Sequence, residues 1–463
     1  MSRSEAGVNP TVVMGTFDPE TRWRDPNLAK LPAMPDKDRE SIVLCMDELL
    51  FPFCGPDDIL YSRCKIDSKL YDYLNGLGFS FRSRFHFDLN DETKSLPGPD
   101  IFNPCIFSLA ADGLQPEALL SHNVQCLSPY AVTADTEKYL HGTGLMGSLP
   151  DLETVKRVNS KFYSNRLLSR IGVKCYGMEV NSAVEMEAVG NTLLKRGAYL
   201  LKDPFGVSGK GNLLIDSEAM QRRIAEHLVK QERRGLRSQF LLEPLLRKEI
   251  DFSSHWFIRK SGEKDFISVQ QMVNQQQNYG GSIRAEEELI LQLKNVGYFD
   301  VIEKALQILA DDGYHGFVCF DSMMLEDGEV VPIVEINARK SMGLINAYLD
   351  KGLENHGHTG LLTFLSMGLP EGFAFGELLD ALHVSGLLFT GKGGYGILPL
   401  SSNTVMVNYF IISRRILEGF QSNRGMPKGR LYFSVVGRND IHRSELIVCL
   451  RNILADLGIK VYN

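Results

Sequence analysis

Apolar positions along this chain alternate between a helical spacing and the short runs that are typical of strands. From Leu152 to Ile171 the apolar residues keep a helical spacing, and Gly172 follows as a stop signal. Met220–Gln231 and Val301–Asp311 are predicted as further helices. The incomplete alternation of helices and strands predicts an α+β or α/β core. Its predicted strands are Ala198–Lys202, Asn212–Ile215, Phe240–Glu243, Phe252–Ile258, Phe266–Gln271, Gly316–Leu325 and Val330–Ile336.

Further elements are predicted on both sides of this core. Ile42–Met46 has the pattern of a buried strand, and Leu70–Leu74 has that of a helix. Near the end of the chain, Tyr409–Ile412 predicts a strand, and a helix is expected from Ser444, as its cap, to Leu457. Additional strands are predicted at Val124–Leu127, Leu387–Leu388 and Tyr432–Val436. The predicted division is an N-terminal arm over residues 1–38, an α/β domain over 39–150, a central domain over 151–350 with a hinge near 243–249, and a C-terminal α/β domain over 351–463.

Composition and charge exclude several classes of protein. The chain has 463 residues, 44% of them hydrophobic and 23% charged, which predicts a globular protein of several domains. A net charge of -7 argues against a general affinity for nucleic acid or an anionic membrane surface. The cysteines never stand in C-x-x-C spacing, so we expect reduced structural thiols. Since neither a secretion signal nor a membrane-spanning run is evident, the expected location is the cytoplasm.

The most informative polar residues lie on two apolar segments that an Asp-Gly turn joins. Glu335 and Asn337 are two apart on the second strand and face the same side, where Asp321 on the partner strand can reach them. Carboxylate and amide oxygens on one face suit Mg²⁺, which shares its remaining ligands with phosphate oxygens. Arg339 falls on that face and can bind a phosphate. The alternative is that Asp321, Glu335 and Asn337 bind no metal and are only the polar face of an exposed hairpin.

A second group of residues lies upstream, where a strand ending in Lys202 runs into a glycine-rich loop. Glycines allow backbone N–H groups to approach phosphate oxygens, and Lys202 adds positive charge. Because the loop lacks the P-loop pattern, an ordinary hairpin turn remains the alternative. The loop residues expected to contact the nucleotide are Gly206, Ser208, Gly209, Lys210 and Gly211.

The segment that starts at Phe240 offers a place for a nucleoside. Glu243 ends an apolar strand, and Glu249 follows six positions later. An adenine ring needs an apolar slot and an acceptor for its amino group, which Glu243 and the chain around Leu245 can supply. Glu249 is then placed for the ribose hydroxyls. Either glutamate alone would be interpreted as a solvated surface acid.

Taken in order, these segments resemble the ATP-grasp superfamily from Lys161 to Ser341. Lys161 precedes a helix that ends at Gly172-Val173 and resembles the first nucleotide-contacting lysine of the family, while Lys202 resembles the second. The resemblance implies an ATP-grasp fold with a preceding pre-ATP-grasp α/β domain and a C-terminal extension. It also implies ATP and Mg²⁺ as cofactors, with Mn²⁺ as an alternative. By the same resemblance, Glu243 accepts a hydrogen bond from the adenine and Glu249 accepts one from the ribose. The resemblance also implies that Asp321, Glu335 and Asn337 bind the metal ion.

The residue that would bind an acyl phosphate is less clearly marked. Cys319 stands where ligases of this family often have a basic residue, so Arg284 and Arg339 are the candidates. The alternative for Arg284 is an ordinary surface arginine. The C-terminal extension resembles ligases of natural-product pathways, of the pheganomycin peptide-ligase type or the butirosin-pathway type that loads an acyl carrier protein.

The resemblance implies an ADP-forming ligase that couples a small-molecule carboxylate to an amine or peptide, in natural-product biosynthesis. One alternative keeps this chemistry with the thiol of an acyl carrier protein as acceptor. Others are a small-molecule kinase and a non-catalytic nucleotide-binding module. Nucleic acid and membrane are not expected partners. The sequence leaves the substrates and the oligomeric state open, a homodimer included.

Overall fold

The computed structural model describes residues 10–89, 104–114, 124–145, 149–207, 210–275, 278–417 and 425–463. Its strands β1 to β17 are Thr11–Met14, Ile59–Cys64, Arg82–Phe87, Cys126–Pro129, Met178–Val180, Tyr199–Val207, Lys210–Ile215, Phe240–Pro244, Lys248–Ile258, Lys264–Gln275, Asn278–Arg284, Gly316–Leu325, Val330–Asn337, Leu361–Gly368, Gly396–Pro399, Lys428–Val436 and Lys460–Val461. The helices are Pro19–Trp23, Lys37–Leu44, Ser68–Gly76, Ile106–Gly113, Ala134–Thr143, Leu152–Val158, Lys161–Arg170, Ala183–Leu194, Glu218–Glu232, Glu287–Asn295, Tyr298–Asp311, Met342–Glu354, Phe375–Val384, Asn403–Leu417 and Asp440–Asp456, with a 3-10 helix at Met46–Phe53.

The first sheet is parallel and has the strand order β3-β2-β1-β4. Its inner strand β1, Thr11–Met14, is buried along its whole length, as strands covered on both faces are. This corrects the predicted arm over residues 1–38, because its described part supplies a central strand. The short run Thr11–Met14 lies between polar segments. Nothing in its local sequence shows that strands beginning at residues 59 and 126 pair with it on either side.

The strand predicted at Ile42–Met46 is wrong. The chain forms the helix Lys37–Leu44 there and then a 3-10 helix. Asp36 caps the first helix by accepting a hydrogen bond from the backbone N–H of Arg39 at 3.1 Å. A short apolar run fits a buried helix as well as a strand, and here the capping aspartate decides.

The second sheet is antiparallel, with the order β5-β8-β6-β7. The helices Ala183–Leu194 and Glu218–Glu232 pack against each other beside it and share a core with its strands. The structure contains the predicted strands and the predicted helix of this region, and their ends differ from the prediction by at most five residues. The predicted strands are Ala198–Lys202, Asn212–Ile215 and Phe240–Glu243, and the predicted helix is Met220–Gln231. The helix predicted from Leu152 to Ile171 is instead two helices, because Ser160 caps a new helix by accepting from the N–H of Phe162.

The third sheet has nine strands in the order β13-β12-β9-β10-β11-β14-β16-β15, and β17 pairs with β14. Strands from residues 361 onwards therefore continue the central sheet, although residues 351–463 were predicted as a domain of their own. The largest hydrophobic cluster includes residues from both parts, for example Phe320 and Phe433. Within the described part of the chain, no helix is long and apolar enough to cross a membrane.

Two C-terminal predictions are wrong. Tyr409–Ile412 lies inside the helix Asn403–Leu417. The buried carboxylate of Glu48 accepts hydrogen bonds from the backbone N–H groups at the start of this helix, including those of Asn403 at 2.8 Å and Thr404 at 3.1 Å. That anchor is more than 350 residues away in sequence, so no local pattern reports it.

The last helix begins earlier than predicted. Asn439 caps it by accepting from the N–H of His442 at 2.9 Å, while Ser444 lies inside the helix and donates to the carbonyl of Asp440 at 2.8 Å. Asparagine and serine are both good caps, and the polar residues before Ser444 continue the helix on its exposed side.

Lys340 is fully buried and joins the nine-stranded sheet, the long sheet, to the parallel sheet. Its Nζ donates hydrogen bonds to Ser128 Oγ at 2.9 Å and to the Pro129 carbonyl at 2.5 Å. It also lies 5.1 Å from the centroid of the Phe53 ring and 5.5 Å from that of Phe317. Because burial removes the ammonium from water, the pKa of Lys340 falls to about 7.

We expect Lys340→Met to change how stability depends on pH. The pKa of Lys340 is lower in the folded than in the unfolded chain, so unfolding takes up a proton between about pH 7 and 10.5 and stability increases as pH rises through that window. From pH 7 to pH 9 the natural protein should gain about 2 kcal/mol relative to the variant. Urea unfolding at both pH values measures this, with the exposed Lys195→Met as control. Equal pH dependence in natural protein and variant would contradict it.

Candidate functional site

Two carboxylates and one amide meet on the neighbouring strands β12 and β13. Asp321 stands directly opposite Glu335 in the antiparallel register, and Cys319 stands opposite Asn337. Asn337 Nδ2 donates to Asp321 Oδ2 at 2.8 Å, which leaves the amide Oδ1 as the atom that can bind a cation. Burial and then the negative charge of Glu335 raise the pKa of Asp321 to about 7. A cation between the two carboxylates would remove this repulsion.

The turn of this hairpin forms where the Asp-Gly pair predicts it. Gly328 has a φ of +81°, a conformation that favours glycine. Asp327 Oδ1 accepts from the N–H of Glu329 at 3.0 Å, and the N–H of Leu325 donates to the Glu329 carbonyl at 2.9 Å. The pairing shifts at an irregularity between Asp321 and Met323, so the turn and this shift together place Glu335 opposite Asp321.

Lys161 lies between the acidic pair, Asp321 and Glu335, and the glycine loop, residues 206–211. It is the first residue of a helix that Ser160 caps, and its side chain is 2% exposed. Its Nζ donates to Glu335 Oε1 at 2.8 Å and to the carbonyl oxygen of Gly206 at 2.7 Å. One buried ammonium thus connects the carboxylates of the long sheet to the loop of the four-stranded antiparallel sheet.

Lys202 and Glu243 form a second ion pair, on β6 and β8. Glu243 stands opposite Leu200, and Lys202 lies two residues further along, so the two side chains meet diagonally. Lys202 Nζ contacts Glu243 Oε2, and the side chains are 7% and 15% exposed. In the structure Glu243 therefore accepts from a lysine, while its role towards an adenine amino group remains a prediction.

A pocket of about 360 Å³, including the solvent at its mouth, lies between β8 and the β12–β13 hairpin. Lys161 and Glu243 contribute its charged groups, and Tyr176 and Asn165 contribute polar ones. Such a mixture of an apolar slot with a few polar groups is typical of small-molecule sites. The apolar wall consists mainly of Leu168, Leu241, Leu246, Met323, Val331 and Ile333.

The glycine loop, residues 206–211, spans the end of β6 and the start of β7, where Val207 pairs with Lys210. Gly211 has a φ of +90°, and a Cβ there would lie 2.8 Å from the Cα of Gly206, so this close crossing of the chain requires glycine. Gly206 supplies the carbonyl that accepts from Lys161. The predicted contacts of Ser208, Gly209 and the side chain of Lys210 lie outside the described residues.

Arg339 is held by an acidic residue from the other end of the chain. Its Nε and Nη2 both lie 2.7 Å from Glu20 Oε1, and its Nη1 donates to the Tyr130 hydroxyl at 3.0 Å. Burial raises the pKa of Glu20, and the positive charge of Arg339 opposes that shift. Glu20 Oε2 has no hydrogen-bond partner among the described residues. A phosphate bound by Arg339 would share the guanidinium with Glu20.

The other predicted residues lie apart from this group. Arg284 pairs with Glu354 at 2.6 Å and approaches Asp350 at 3.6 Å, and within the described part of the chain it contacts no other predicted site residue. This corresponds to the alternative of a structural surface arginine. Glu249 and Leu245 are exposed, and neither lines the pocket.

No family model matches the chain. The butirosin acyl-carrier-protein L-glutamate ligase of Niallia circulans is 28% identical over 193 residues, which are 41% of this chain and 45% of that ligase. The match therefore spans less than half the length of this relative.

Solved structures cover almost the whole chain. The biotin carboxylase domain of the 2-oxoglutarate carboxylase of Hydrogenobacter thermophilus, a complex with MgADP and bicarbonate, has a TM-score of 0.50 and 11% identity, over 99% of this chain and 91% of that one. The chain has the ATP-grasp fold. The L-amino acid ligase of Bacillus licheniformis has a TM-score of 0.47 and 12% identity, over 99% of both chains.

In this ATP-grasp fold the four-stranded antiparallel sheet supplies Lys202, Glu243 and the glycine loop, and the long sheet supplies Asp321, Glu335 and Asn337. Sequence reasoning missed Glu20 and Tyr130, which contact Arg339, and Tyr176, which lines the pocket. Glu20 and Tyr130 precede the segment that resembles the superfamily. Only the packing of the parallel sheet against the residues after β13 identifies them.

Proposed function

We propose that this protein is an ATP-dependent ligase that activates a carboxylate as an acyl phosphate and couples it to an amine, with release of ADP and phosphate. The observation that supports this best is the position of Lys161. Its Nζ contacts Glu335, of the acidic pair, and Gly206, of the glycine loop, while its side chain also lines the apolar pocket. A triphosphate needs these three elements together: a cation site, positive charge and backbone N–H groups that can approach phosphate oxygens.

The donor atoms fit Mg²⁺. Asp321 and Glu335 offer carboxylate oxygens from adjacent strands, and Asn337 offers an amide oxygen, all of them hard ligands. Such an ion, when bound, neutralises phosphate charge and orients the phosphates for in-line transfer. Lys161 and Lys202 would add positive charge, and the pocket beside Glu243 would take the adenine.

The proposed chemistry has two steps. A carboxylate oxygen of the first substrate attacks the γ-phosphorus of ATP, and the bond between this phosphorus and the β–γ bridging oxygen breaks, so ADP leaves. The amine nitrogen of the second substrate then attacks the acyl carbon, the bond from carbon to the phosphate oxygen breaks, and the nitrogen loses a proton. Arg339, held by Glu20 and Tyr130, is the residue we assign to the acyl phosphate.

The relatives support this proposal and its main alternative. The Hydrogenobacter domain was solved with MgADP and bicarbonate, an anion whose two unprotonated oxygens resemble those of a carboxylate. The name of the Niallia ligase states that it joins L-glutamate to an acyl-carrier protein, and this favours a carrier-protein thiol as the second candidate acceptor. The eight cysteines are free thiols, which supports a reducing cytoplasmic location.

Incubation with ATP, Mg²⁺, a panel of amino acids and pathway carboxylates, and a panel of amines tests the proposal. We expect ADP and a product heavier by the acyl group. A stable phosphorylated product would favour a kinase, and product formed only with a phosphopantetheinyl protein would favour the thiol acceptor. AMP in place of ADP, or no nucleotide turnover with any pair, would overturn the proposal.

A further inference from the structure

Residues 19–29, which we call the N-terminal strap, join two hydrophobic cores. Trp23 belongs to the largest core cluster, and its Nε1 donates to the carbonyl of Val132 at 2.8 Å. Ala29 belongs to a second cluster, which is formed with the strands of the four-stranded antiparallel sheet. Its N–H donates to the carbonyl of Arg237 at 2.9 Å. The strap therefore connects that sheet to the main body of the protein.

Arg24 lies in the middle of the strap and binds Asp203 on β6. Its Nε and Nη2 lie 3.0 and 2.9 Å from Asp203 Oδ2, and both side chains are largely buried. Its Nη1 also donates to the carbonyl of Leu28 at 3.1 Å, and its Nη2 donates to that of Ala29 at 2.6 Å. A guanidinium has the several donors in fixed directions that these contacts need, so one side chain holds β6 and the strap together.

Asp203 connects this ion pair to the glycine loop. Its Oδ1 accepts from the N–H of Phe205 at 3.0 Å. A Cβ on Gly211 would lie 3.1 Å from the Cβ of Asp203, so β7 passes close to this side chain. Asp203 thus helps to fix the backbone that leads to Gly206, whose carbonyl accepts from Lys161.

The strap also contacts Arg339. Glu20 lies four residues before Arg24, and its Oε1 is 2.7 Å from both Nε and Nη2 of Arg339. One short helix therefore separates the contact with β6 from the contact with the residue assigned to the acyl phosphate. In the proposed reaction, phosphate passes from a nucleotide held by β6 to a carboxylate beside Arg339. A displacement of about 1 Å between reacting groups can cost about a hundredfold in rate.

We propose that Arg24 is a positioning residue of the ligase reaction, which together with Glu20 fixes the end of β6 relative to Arg339. This inference rests on the proposed function. The guanidinium of Arg24 is occupied by Asp203 and by the carbonyls of the strap, so it acts through them. Other residues line the nucleotide pocket, and the affinity for ATP should therefore depend little on Arg24.

Arg24→Gln tests the proposal. We expect kcat for ligation to fall roughly tenfold to a hundredfold while KM for ATP changes less than about twofold, because alignment is lost and the pocket is kept. Arg24→Lys keeps the charge but only part of the hydrogen bonds, so its kcat should lie between those of Arg24→Gln and the natural protein. Rates of ADP and product formation at varied ATP concentration give both constants. A residue that serves folding alone would lower the melting temperature and leave kcat of the folded enzyme unchanged.

Hydrogen exchange tests the position of β6 without any substrate. The amide hydrogens between Asp203 and Gly206 should exchange roughly tenfold faster in Arg24→Gln than in the natural protein, because the ion pair that holds this segment is lost. Arg22→Gln is the matched control. Arg22 lies on the helix of the same strap and pairs with Asp135, on the helix Ala134–Thr143, at 3.1 Å. This variant should keep the natural kcat and the natural exchange at β6.

The double variant Arg24→Gln/Asp203→Asn separates position from charge, and it replaces Arg24→Gln if an unpaired Asp203 prevents folding. Its kcat should stay low, and a return to the natural value would overturn the proposal. Unchanged kcat in folded Arg24→Gln would do the same, and so would unchanged exchange at β6. If the natural protein forms no ADP with any substrate pair, the ligase function fails and a role of Arg24 in that reaction falls with it. Hydrogen exchange then shows separately whether Arg24 holds β6.

Discussion

Glu335→Ala should lower kcat for ADP formation roughly a thousandfold. The variant removes one of two carboxylates that face each other across β12 and β13, and with it the charge that holds Mg²⁺. Metal ions supply several kcal/mol of transition-state stabilisation, and about 4 kcal/mol corresponds to a factor of about 10³. Because the Glu335 side chain is 24% exposed and its strand hydrogen bonds are made by the backbone, the fold should be retained. ADP release at saturating ATP measures the effect.

Glu326→Ala is the control for this experiment. Glu326 is an exposed residue at the turn of the same hairpin, outside the proposed metal site and the pocket. It should keep full activity. Calorimetry adds an independent measurement, since ATP binding should depend on Mg²⁺ in the natural protein and much less in Glu335→Ala. Undiminished ADP formation in Glu335→Ala would show that the hairpin carboxylates are structural.

Lys161→Met should weaken ATP binding by a factor of roughly ten to one hundred. Hydrogen bonds to charged groups contribute about 1.5–3 kcal/mol, and methionine keeps the length of the side chain without its charge. The effect should be on Kd as well as on rate, because Lys161 lines the pocket and contacts the glycine loop before any chemistry occurs. Titration with a non-hydrolysable ATP analogue measures the affinity directly.

Lys156→Met serves as the matched control. Lys156 lies on the preceding helix and pairs with Glu153 three residues away, so its loss removes a surface ion pair of little energetic weight. Its nucleotide affinity should equal that of the natural protein. If Lys161→Met also binds the analogue normally, Lys161 serves only to connect Glu335 to the loop, and the nucleotide site must be sought elsewhere.

The contact between Arg339 and Glu20 changes how the candidate site is understood. The guanidinium was expected to be free to bind phosphate, yet two of its nitrogens contact Glu20 Oε1 and a third contacts Tyr130. Glu20, on the helix Pro19–Trp23 that the sequence suggested was part of an arm, thereby contacts a candidate site residue that follows β13.

The amino-acid sequence by itself determined the features that depend on neighbours in the chain. The Asp-Gly turn and two-residue alternation placed Asp321, Glu335 and Asn337 on one face, and the structure confirms that pairing. Likewise, the glycines around Lys202 predicted a loop between two strands. These predictions succeed because backbone geometry and side-chain alternation are local properties.

Tertiary structure alone decided which distant groups meet. Glu48 stabilises a helix that starts at residue 403, Arg284 pairs with Glu354, and Lys161 reaches Glu335. Each contact joins residues separated by 70 to more than 350 positions, so no pattern of neighbouring residues reports it. A single sequence records the charges but not their pairing, because pairing depends on how the three sheets pack.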